Sequence, residues 1–306
     1  MKRNFIVVTG GAGFVGANLI NYLVSNTKYK IISIDDYSAG SKKNHNKNSK
    51  VSYINAKTRN IDKVLSNKAL KIHSLFHFGE FSRIFQSFEK FDECFKSNSL
   101  GTLEVFKFCL KYKIKLIYSA TSASLGLKKN NRNSSLSPYA FSKEKNLELL
   151  QNLKKWFNFK YEIIYFYNVY GPYQISEGSM STVIGIFENQ YLKKKSLTIV
   201  RPGTQKRRFT HIDDTIKVCI EAWQKNKNRH YSIYSLKNYT INDVAKMFKT
   251  KVTYLPPRKG ERYASVLTKM NFNSKVYKRI GKIKLKDYVK IFLKKNQTIS
   301  NLNNKN

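Results

Sequence analysis

The sequence predicts an α/β protein, a doubly wound parallel sheet with a smaller, loop-rich mixed lobe toward its C-terminal end. Three observations carry that reading. A β-rich apolar run at 5–8 leads straight into Thr9-Gly10-Gly11-Ala12-Gly13-Phe14-Val15-Gly16, and a helical pattern resumes at 17–24. A second strand pattern, 30–34, closes on Asp35-Asp36. Strand and helix patterns then alternate through the first half, as a parallel sheet with helical crossovers requires.

Gly10, Gly13 and Gly16 fall at the turn from the first strand to the first helix. Glycine there lets the backbone approach a pyrophosphate, whose charge is favoured by amides at the helix N-terminus. The three-apart spacing is a variant of the commoner dinucleotide fingerprint. Asp35 strengthens it, ending the next strand about 20 residues on, where a carboxylate takes the adenosine ribose hydroxyls. A carboxylate there repels a 2′-phosphate, so the site reads as a Rossmann-type NAD site rather than one for NADP.

Further strands are expected at 51–54, 75–78, 116–119 and 162–166. Residues 97–112 read as an amphipathic helix with Leu100, Leu103, Phe106 and Leu110 at helical spacing. Ser137-Pro138 opens another helix, a serine cap with proline in the first turn, and Leu147, Leu150, Leu153 and Phe157 supply its apolar stripe. From Gly171 onward Gly171-Pro172, Gly178, Pro202-Gly203 and Pro256-Pro257 punctuate short elements. The expected organisation is therefore an NAD-binding domain at 1–167 to which the chain returns at 209–234. There His211-Ile212-Asp213-Asp214 opens a helix with acids in its first turn. A substrate lobe is expected from 168–208 and 235–295, and a polar tail at 296–306.

Composition bounds the function. With 306 residues, 41% hydrophobic and 14% aromatic, the chain is globular rather than disordered. No stretch approaches the ~20 apolar residues of a membrane span. The first strand pattern begins within four residues of Met1, so no signal peptide is expected. Cys94, Cys109 and Cys219 are few, odd in number and far apart, which fits a reducing cytoplasm. Lys and Arg number 57 against 19 acids, a formal charge of +38. The excess is spread as single lysines, often beside Asn, and reads as compositional drift. Only nonspecific, salt-sensitive nucleic-acid binding is expected of it. His73 and His77 lie about 13 Å apart on a strand at ~3.3 Å per residue, too far to share one metal ion.

Tyr139 and Lys143 share one face of the 138–157 helix, one turn apart. A free phenol has a pKa of about 10 and is a poor base at neutrality. A nearby ammonium, with the positive ring of oxidised NAD, is expected to lower that value. Upstream, Thr121 or Ser122 stands at a strand end, where a hydroxyl can relay a proton or fix a substrate hydroxyl beside Tyr139.

Together these motifs resemble the extended short-chain dehydrogenase/reductases, and among them the NAD-dependent nucleotide-sugar epimerase/dehydratase family. The resemblance runs from Asn4 to about Leu293. It adds His77-Phe78-Gly79, Asn98-Ser99-Leu100-Gly101-Thr102, Tyr167-Asn168-Val169-Tyr170-Gly171-Pro172, the segment 205–214 and Arg258-Lys259-Gly260-Glu261. It implies Tyr139 as catalytic base and acid, Lys143 on the nicotinamide ribose, and Thr121 on the reacting sugar oxygen. On the cofactor side it implies Gly10, Gly13, Phe14, Val15, Gly16, Asp35, Asp36, Phe78, Gly79 and Asn98. For the substrate it implies Ser122, Asn168 near the diphosphate, and Arg207 and Arg258 clamping it, a task suited to guanidinium forks. Glu80 is expected on a sugar hydroxyl or in an ion pair with Arg83. Ser265 stands beside the sugar's carbon 2, where its small size would admit 2-acetamido sugars.

Dehydratases of the family follow the hydroxyl residue with an Asp-Glu pair; here Ser122 and Ala123 stand there, which disfavours expulsion of water. The expected reaction is epimerisation of a nucleotide sugar through a transient keto-sugar, first at carbon 4 of a UDP-hexose. A heptose 6-epimerase is the alternative suggested by 177–181, although Glu177 replaces the expected Lys. A dehydratase, and from another class a non-catalytic NAD-fold protein bound to RNA, are the remaining alternatives. Ala56-Lys57 departs from the Gly-Asp pair that contacts adenine, a loss Asn60 would offset. Helices 97–112 and 138–157 resemble the pair that forms a four-helix interface in relatives, so a homodimer is expected.

Overall fold

The structure is a computed structural model that describes residues 3–121, 137–257 and 276–303. Six strands come first: β1 (Phe5–Thr9), β2 (Lys30–Asp35), β3 (Val51–Asn55), β4 (Ile72–His77), β5 (Lys115–Thr121) and β6 (Tyr161–Phe166). They are followed by β7 (Asn168–Tyr170), β8 (Leu197–Val200), β9 (Lys206–His211), β10 (His230–Tyr234), β11 (Asn238–Thr240), β12 (Val252–Leu255) and β13 (Val276–Ile280). Eight of these form one sheet in the order β13-β10-β6-β5-β4-β1-β2-β3, with every adjacent pair parallel. The order reverses between β1 and β4, and ligands of such sheets bind in the crevice beyond the strand ends at that point.

The helices are α1 (Phe14–Asn26), α2 (Ile61–Leu65), α3 (Gln86–Glu89), α4 (Phe91–Phe95) and α5 (Thr102–Lys111), then α6 (Pro138–Phe157), α7 (Val183–Leu192), α8 (Ile212–Gln224), α9 (Ile241–Met247) and α10 (Leu285–Asn303). Strand alternation sorts them into two layers. Ile6 and Val8 of β1 face a cluster containing Leu19 and Ile20 of α1 and Ile216 and Cys219 of α8. Val7 faces the opposite cluster, with Leu65 of α2, Phe106 of α5 and Leu150 of α6. Strands covered on both faces read as continuous apolar runs, which is why β1, β2 and β4 were plain in the sequence. A separate core joins Tyr170, Phe187, Phe209, Phe248 and Val289. It lies with a three-stranded sheet, β11-β9-β7, and a two-stranded one, β12-β8. β9 runs antiparallel to β11 and parallel to β7, so the smaller sheet is mixed.

Four expectations change. β13 falls in the segment assigned to the smaller lobe, yet it pairs with β10 at the edge of the large sheet. Phe209, the expected point of return, packs in the small core; α8 is what regains the large sheet. The 97–112 helix becomes regular only at Thr102, after a π-helical turn at Lys96–Gly101. The wider turn rotates the register, so Leu100 and Leu103 are exposed while Val105, Phe106, Phe108 and Cys109 are buried. At the end of α6, Asn158 takes the left-handed conformation (φ 52°) that terminates helices. Phe157 is left exposed, and Phe159 enters the core instead.

Candidate active site

At the crevice the chain folds back on itself so closely that side chains are excluded. Gly10 has φ +70°, and a Cβ there would lie 2.8 Å from the amide nitrogen of Gly79. A Cβ on Gly16 would lie 2.1 Å from the Gly10 carbonyl oxygen. A Cβ on Gly79 would in turn lie 2.8 Å from the amide nitrogen of Gly10. α1 starts at Gly13 with no side-chain cap, so the first-turn amides, those of Phe14 and Val15 included, have no capping side chain as partner. This cradle, bare of side chains at a helix N-terminus, fits a dinucleotide diphosphate.

Asp35 is 8% exposed at the end of β2. Its carboxylate accepts the backbone N–H groups of Ala12 and Tyr37, each at 2.9 Å. It therefore ties the glycine turn to the loop after β2. Burial pushes its pKa above the usual carboxylate value, opposed by those hydrogen bonds. Asp36 is exposed and accepts from the Ser38 amide at 3.0 Å and hydroxyl at 2.6 Å.

Beneath the crevice a chain of buried polar groups runs from β1 to α6. Thr9 Oγ1 accepts the amides of Phe78 and Gly79 and lies 2.7 Å from His77 Nδ1. With its acceptor sites taken, the hydroxyl donates to Nδ1, which assigns the imidazole proton to Nε2. Nε2 lies 2.9 Å from Thr102 Oγ1, which in turn donates to Glu80 Oε1 at 3.0 Å. His77 is completely buried, and desolvation lowers its pKa to about 4, matching the neutral tautomer. Glu80 Oε1 also accepts from Tyr118 at 3.0 Å and Asn146 at 3.3 Å. Its Oε2 is bonded to the ammonium of Lys143.

Of the two contacts expected of Glu80, the ion pair with Arg83 is replaced by another: its side chain is only 2% exposed and, among the described residues, its ion-pair partner is Lys143. Lys143 also donates to the Ser119 carbonyl and lies 4.6 Å above the Tyr118 ring. Burial draws the Lys143 pKa down, while Glu80 pulls it up. Asn98, expected on the cofactor, is likewise buried. It holds the backbone of Phe81 from both sides, accepting at 2.7 Å and donating at 3.0 Å, and donates to Ser142.

Tyr139 stands in the first turn of α6, whose N-cap Ser137 accepts the Ala140 amide. Its hydroxyl is hydrogen-bonded to Thr121, which brings together the two residues singled out for proton transfer. The expected lowering of its pKa is not found in the protein alone. Burial pushes the phenol up to about 12; the Thr121 bond opposes this, Glu80 adds to it, and the charge of Arg83 opposes it.

On the substrate side, Asn168 is half-buried in β7 and donates to the Arg208 carbonyl at 3.1 Å. Strand alternation separates the arginines of β9. Arg208 is buried and bonded to the Ser235 and Leu236 carbonyls, whereas Arg207 is half-exposed and donates to the Lys206 carbonyl. Glu177 is exposed and paired with Lys193. Ser122, Arg258 and Ser265 lie outside the described residues. Sequence reasoning missed Asn146 and Tyr118 as partners of Glu80. A signal existed for the first, since Tyr139, Lys143 and Asn146 recur at helical spacing on a buried face.

The family model for NAD-dependent epimerases/dehydratases matches residues 6–236. The sequence is 30% identical over 276 residues to a "Putative UDP-glucose 4-epimerase" of Methanocaldococcus jannaschii, covering 84% of this chain and 88% of that one. It is 32% identical over 226 residues to an ADP-L-glycero-D-manno-heptose-6-epimerase of Brachyspira hyodysenteriae, covering 70% of each. Among solved structures, UDP-glucose 4-epimerase of Thermotoga maritima with UDP-glucose superimposes with TM-score 0.83 at 24% identity, covering 96% of this chain and 99% of that one.

Proposed function

Since the chain belongs to the NAD-dependent epimerase/dehydratase family, we propose that it is a nucleotide-sugar epimerase inverting carbon 4 of a UDP-hexose. The observation that carries this reading is the hydrogen bond between Thr121 and Tyr139 at the C-terminal end of β5, two strands from β1, which leads into the glycine cradle. Gly10, Gly13, Phe14, Val15 and Gly16 would hold the NAD diphosphate, with Asp35 and Asp36 at the ribose. NAD supplies a site that takes up a hydride and gives it back. Tyr139 removes the proton from the sugar hydroxyl while Thr121 fixes that oxygen, and the same phenol returns the proton after the ring has turned. Arg207 and Asn168, both in the mixed sheet, are proposed to hold the diphosphate, with Arg258 as the second clamp.

The test is incubation of the purified protein with a panel of nucleotide sugars, followed by NMR of the anomeric protons. Interconversion of UDP-glucose and UDP-galactose without net NADH is the expected result. Turnover of UDP-N-acetylglucosamine bears on Ser265, and turnover of an ADP-heptose alone would favour the second reading, which the heptose-epimerase relative supports. A keto product accumulating would mark a dehydratase. A cytoplasmic setting is part of the proposal, supported by three free, buried cysteines. So is a homodimer: Leu100, Leu103 and Phe141 are exposed apolar side chains on the helices expected to pair.

A further inference from the structure

We propose that a pocket at the opposite end of the large sheet from the catalytic crevice binds a nucleoside polyphosphate, its phosphates met by lysine and arginine side chains and its base by a cluster of aromatic rings. The pocket shares no residue with the Tyr139 network and does not depend on the reading given to it. It measures about 510 Å3, within the range of small-molecule sites. Its walls come from the N-terminal ends of the parallel strands. Arg3 precedes β1, Tyr29 precedes β2, His73 lies at the start of β4, Lys115 begins β5 and Lys160 precedes β6, with Trp223 at the end of α8. The crevice lies at the other strand ends, about 16 Å away along a five-residue strand such as β1 at ~3.3 Å per residue.

Two kinds of lining meet there. The first is charge. Arg3, Lys113, Lys115 and Lys160 line the pocket, and among the described residues no carboxylate lines it and none of these cations is ion-paired. Arg3 donates to the carbonyls of Lys113 at 2.8 Å and Tyr112 at 3.1 Å, just past the end of α5. Lys115 donates to the carbonyls of Trp223 at 2.6 Å and Ala222 at 3.2 Å, at the end of α8. Helix C-termini repel anions; these two cations cover both. Lys113 and Lys160, each exposed, are left to reach the phosphates. Burial draws the Lys115 pKa down to about 8, so its ammonium is still charged at neutrality, and the charge of Glu162 supports it. Glu162 is itself fully buried and accepts the amides of Lys227 at 2.7 Å and Arg229 at 2.9 Å. The second lining is aromatic. The rings of Tyr29 and His73 are 5.1 Å apart, and Trp223 lies 5.8 Å from the first and 6.0 Å from the second. Trp223 Nε1 donates to Ser74 Oγ at 2.8 Å, which holds the indole in place. An inorganic phosphate would use the cations alone, whereas a nucleotide gives the rings a planar partner as well.

The chain has two tryptophans, Trp156 and Trp223, and Trp156 is exposed. Trp156→Phe therefore leaves the indole of the pocket as the sole reporter. The test titrates ATP into that variant, with NAD and UDP already present in excess to fill the crevice, and follows Trp223 fluorescence. A saturable change is expected. Lys160→Glu and Lys113→Asn should each weaken it about tenfold, the equivalent of one lost hydrogen bond to a charged group. Asn is chosen because Lys113 has φ 51°, which Asn tolerates. Tripolyphosphate and adenosine, each carrying half of the proposed recognition, should bind more weakly than ATP. Lys290→Glu, an exposed position on α10 in the smaller lobe, should leave the titration unchanged. Fluorescence that stays flat to millimolar ATP overturns the proposal. So does equal weakening by Lys290→Glu, which would mark attraction by net charge alone. Tripolyphosphate binding as tightly as ATP overturns the assignment to a nucleotide. The readout needs neither a sugar nor turnover, so failure here is separable from failure of the epimerase reading.

Discussion

The two sides of the crevice are built from different materials. The cofactor side is shaped by backbone: Gly10, Gly16 and Gly79 bring main chains to distances at which a Cβ would collide. The phenol side is shaped by side chains: Glu80 gathers Lys143, Tyr118, Thr102 and Asn146, and Asn98 fixes the loop that carries it. A backbone site tolerates one residue type at each close approach, whereas a side-chain network depends on partners far apart in the chain. The first should fail sterically, the second electrostatically.

The largest expected effect breaks the phenol side alone. Tyr139→Phe should lower turnover by roughly 10²–10⁴-fold while leaving retention of NAD intact, as read from the absorbance of purified holoprotein and the rate of epimerisation. Unchanged turnover would remove the phenol from the mechanism. Next is Glu80→Ala, which strands Lys143 as a buried, unpaired cation. Breaking such a pair costs about 3–5 kcal/mol, so the urea midpoint should fall well below that of the parent. A stability loss near zero would mean that the ammonium finds water, and that the network is less enclosed than its burial indicates.

These two sides also differ in how far the sequence disclosed them. The glycine spacing, Asp35 and strands β1, β2, β4, β5 and β6 were legible, because close backbone approach and burial on both faces leave local signatures. Tyr139 and Thr121 were legible too, from helix spacing and a strand end. Glu80 was not: its partners come from β5, the start of α5 and α6, and only the folded topology sets them side by side. The same holds for Asn98, whose buried bonds to Phe81 cannot be inferred from position in a helix. The exposure of Leu100 and Leu103 was hidden because a π-helical turn shifts the face that a uniform 3.6-residue period assigns.

Acidification sharpens the comparison, since it reaches the polar network and spares the glycines. Burial lowers the pKa of His77 to about 4, so the unfolded chain binds a proton below its ordinary value while the folded one does not. Stability is then complete above pH ~6.5 and falls as the pH drops toward 4, by about 3 kcal/mol for this one group. His230, lowered to about 4 by burial as well, adds its own share. Urea unfolding at intervals between pH 7.5 and 4.5 should show the slope, and His77→Gln should remove part of it. A slope unaffected by that substitution would detach His77 from the acid response.

The smallest effect on stability is expected on the backbone side, where it should nevertheless decide cofactor binding. Gly16→Ala places a Cβ 2.1 Å from the Gly10 carbonyl oxygen, a contact that no rotamer can relieve because both partners are main chain. The turn must open, at a cost of about 1–3 kcal/mol, typical of overpacking a tight site. Opening carries the first amides of α1 away from the position a diphosphate needs, so retained NAD should drop more than the unfolding midpoint does. The phenol network has no share in that contact, and the pH dependence of unfolding should keep the parent's slope. A variant that holds NAD as the parent does would show that the turn yields without moving the helix. The division between a site held by backbone and one held by side chains would then fail on its first half.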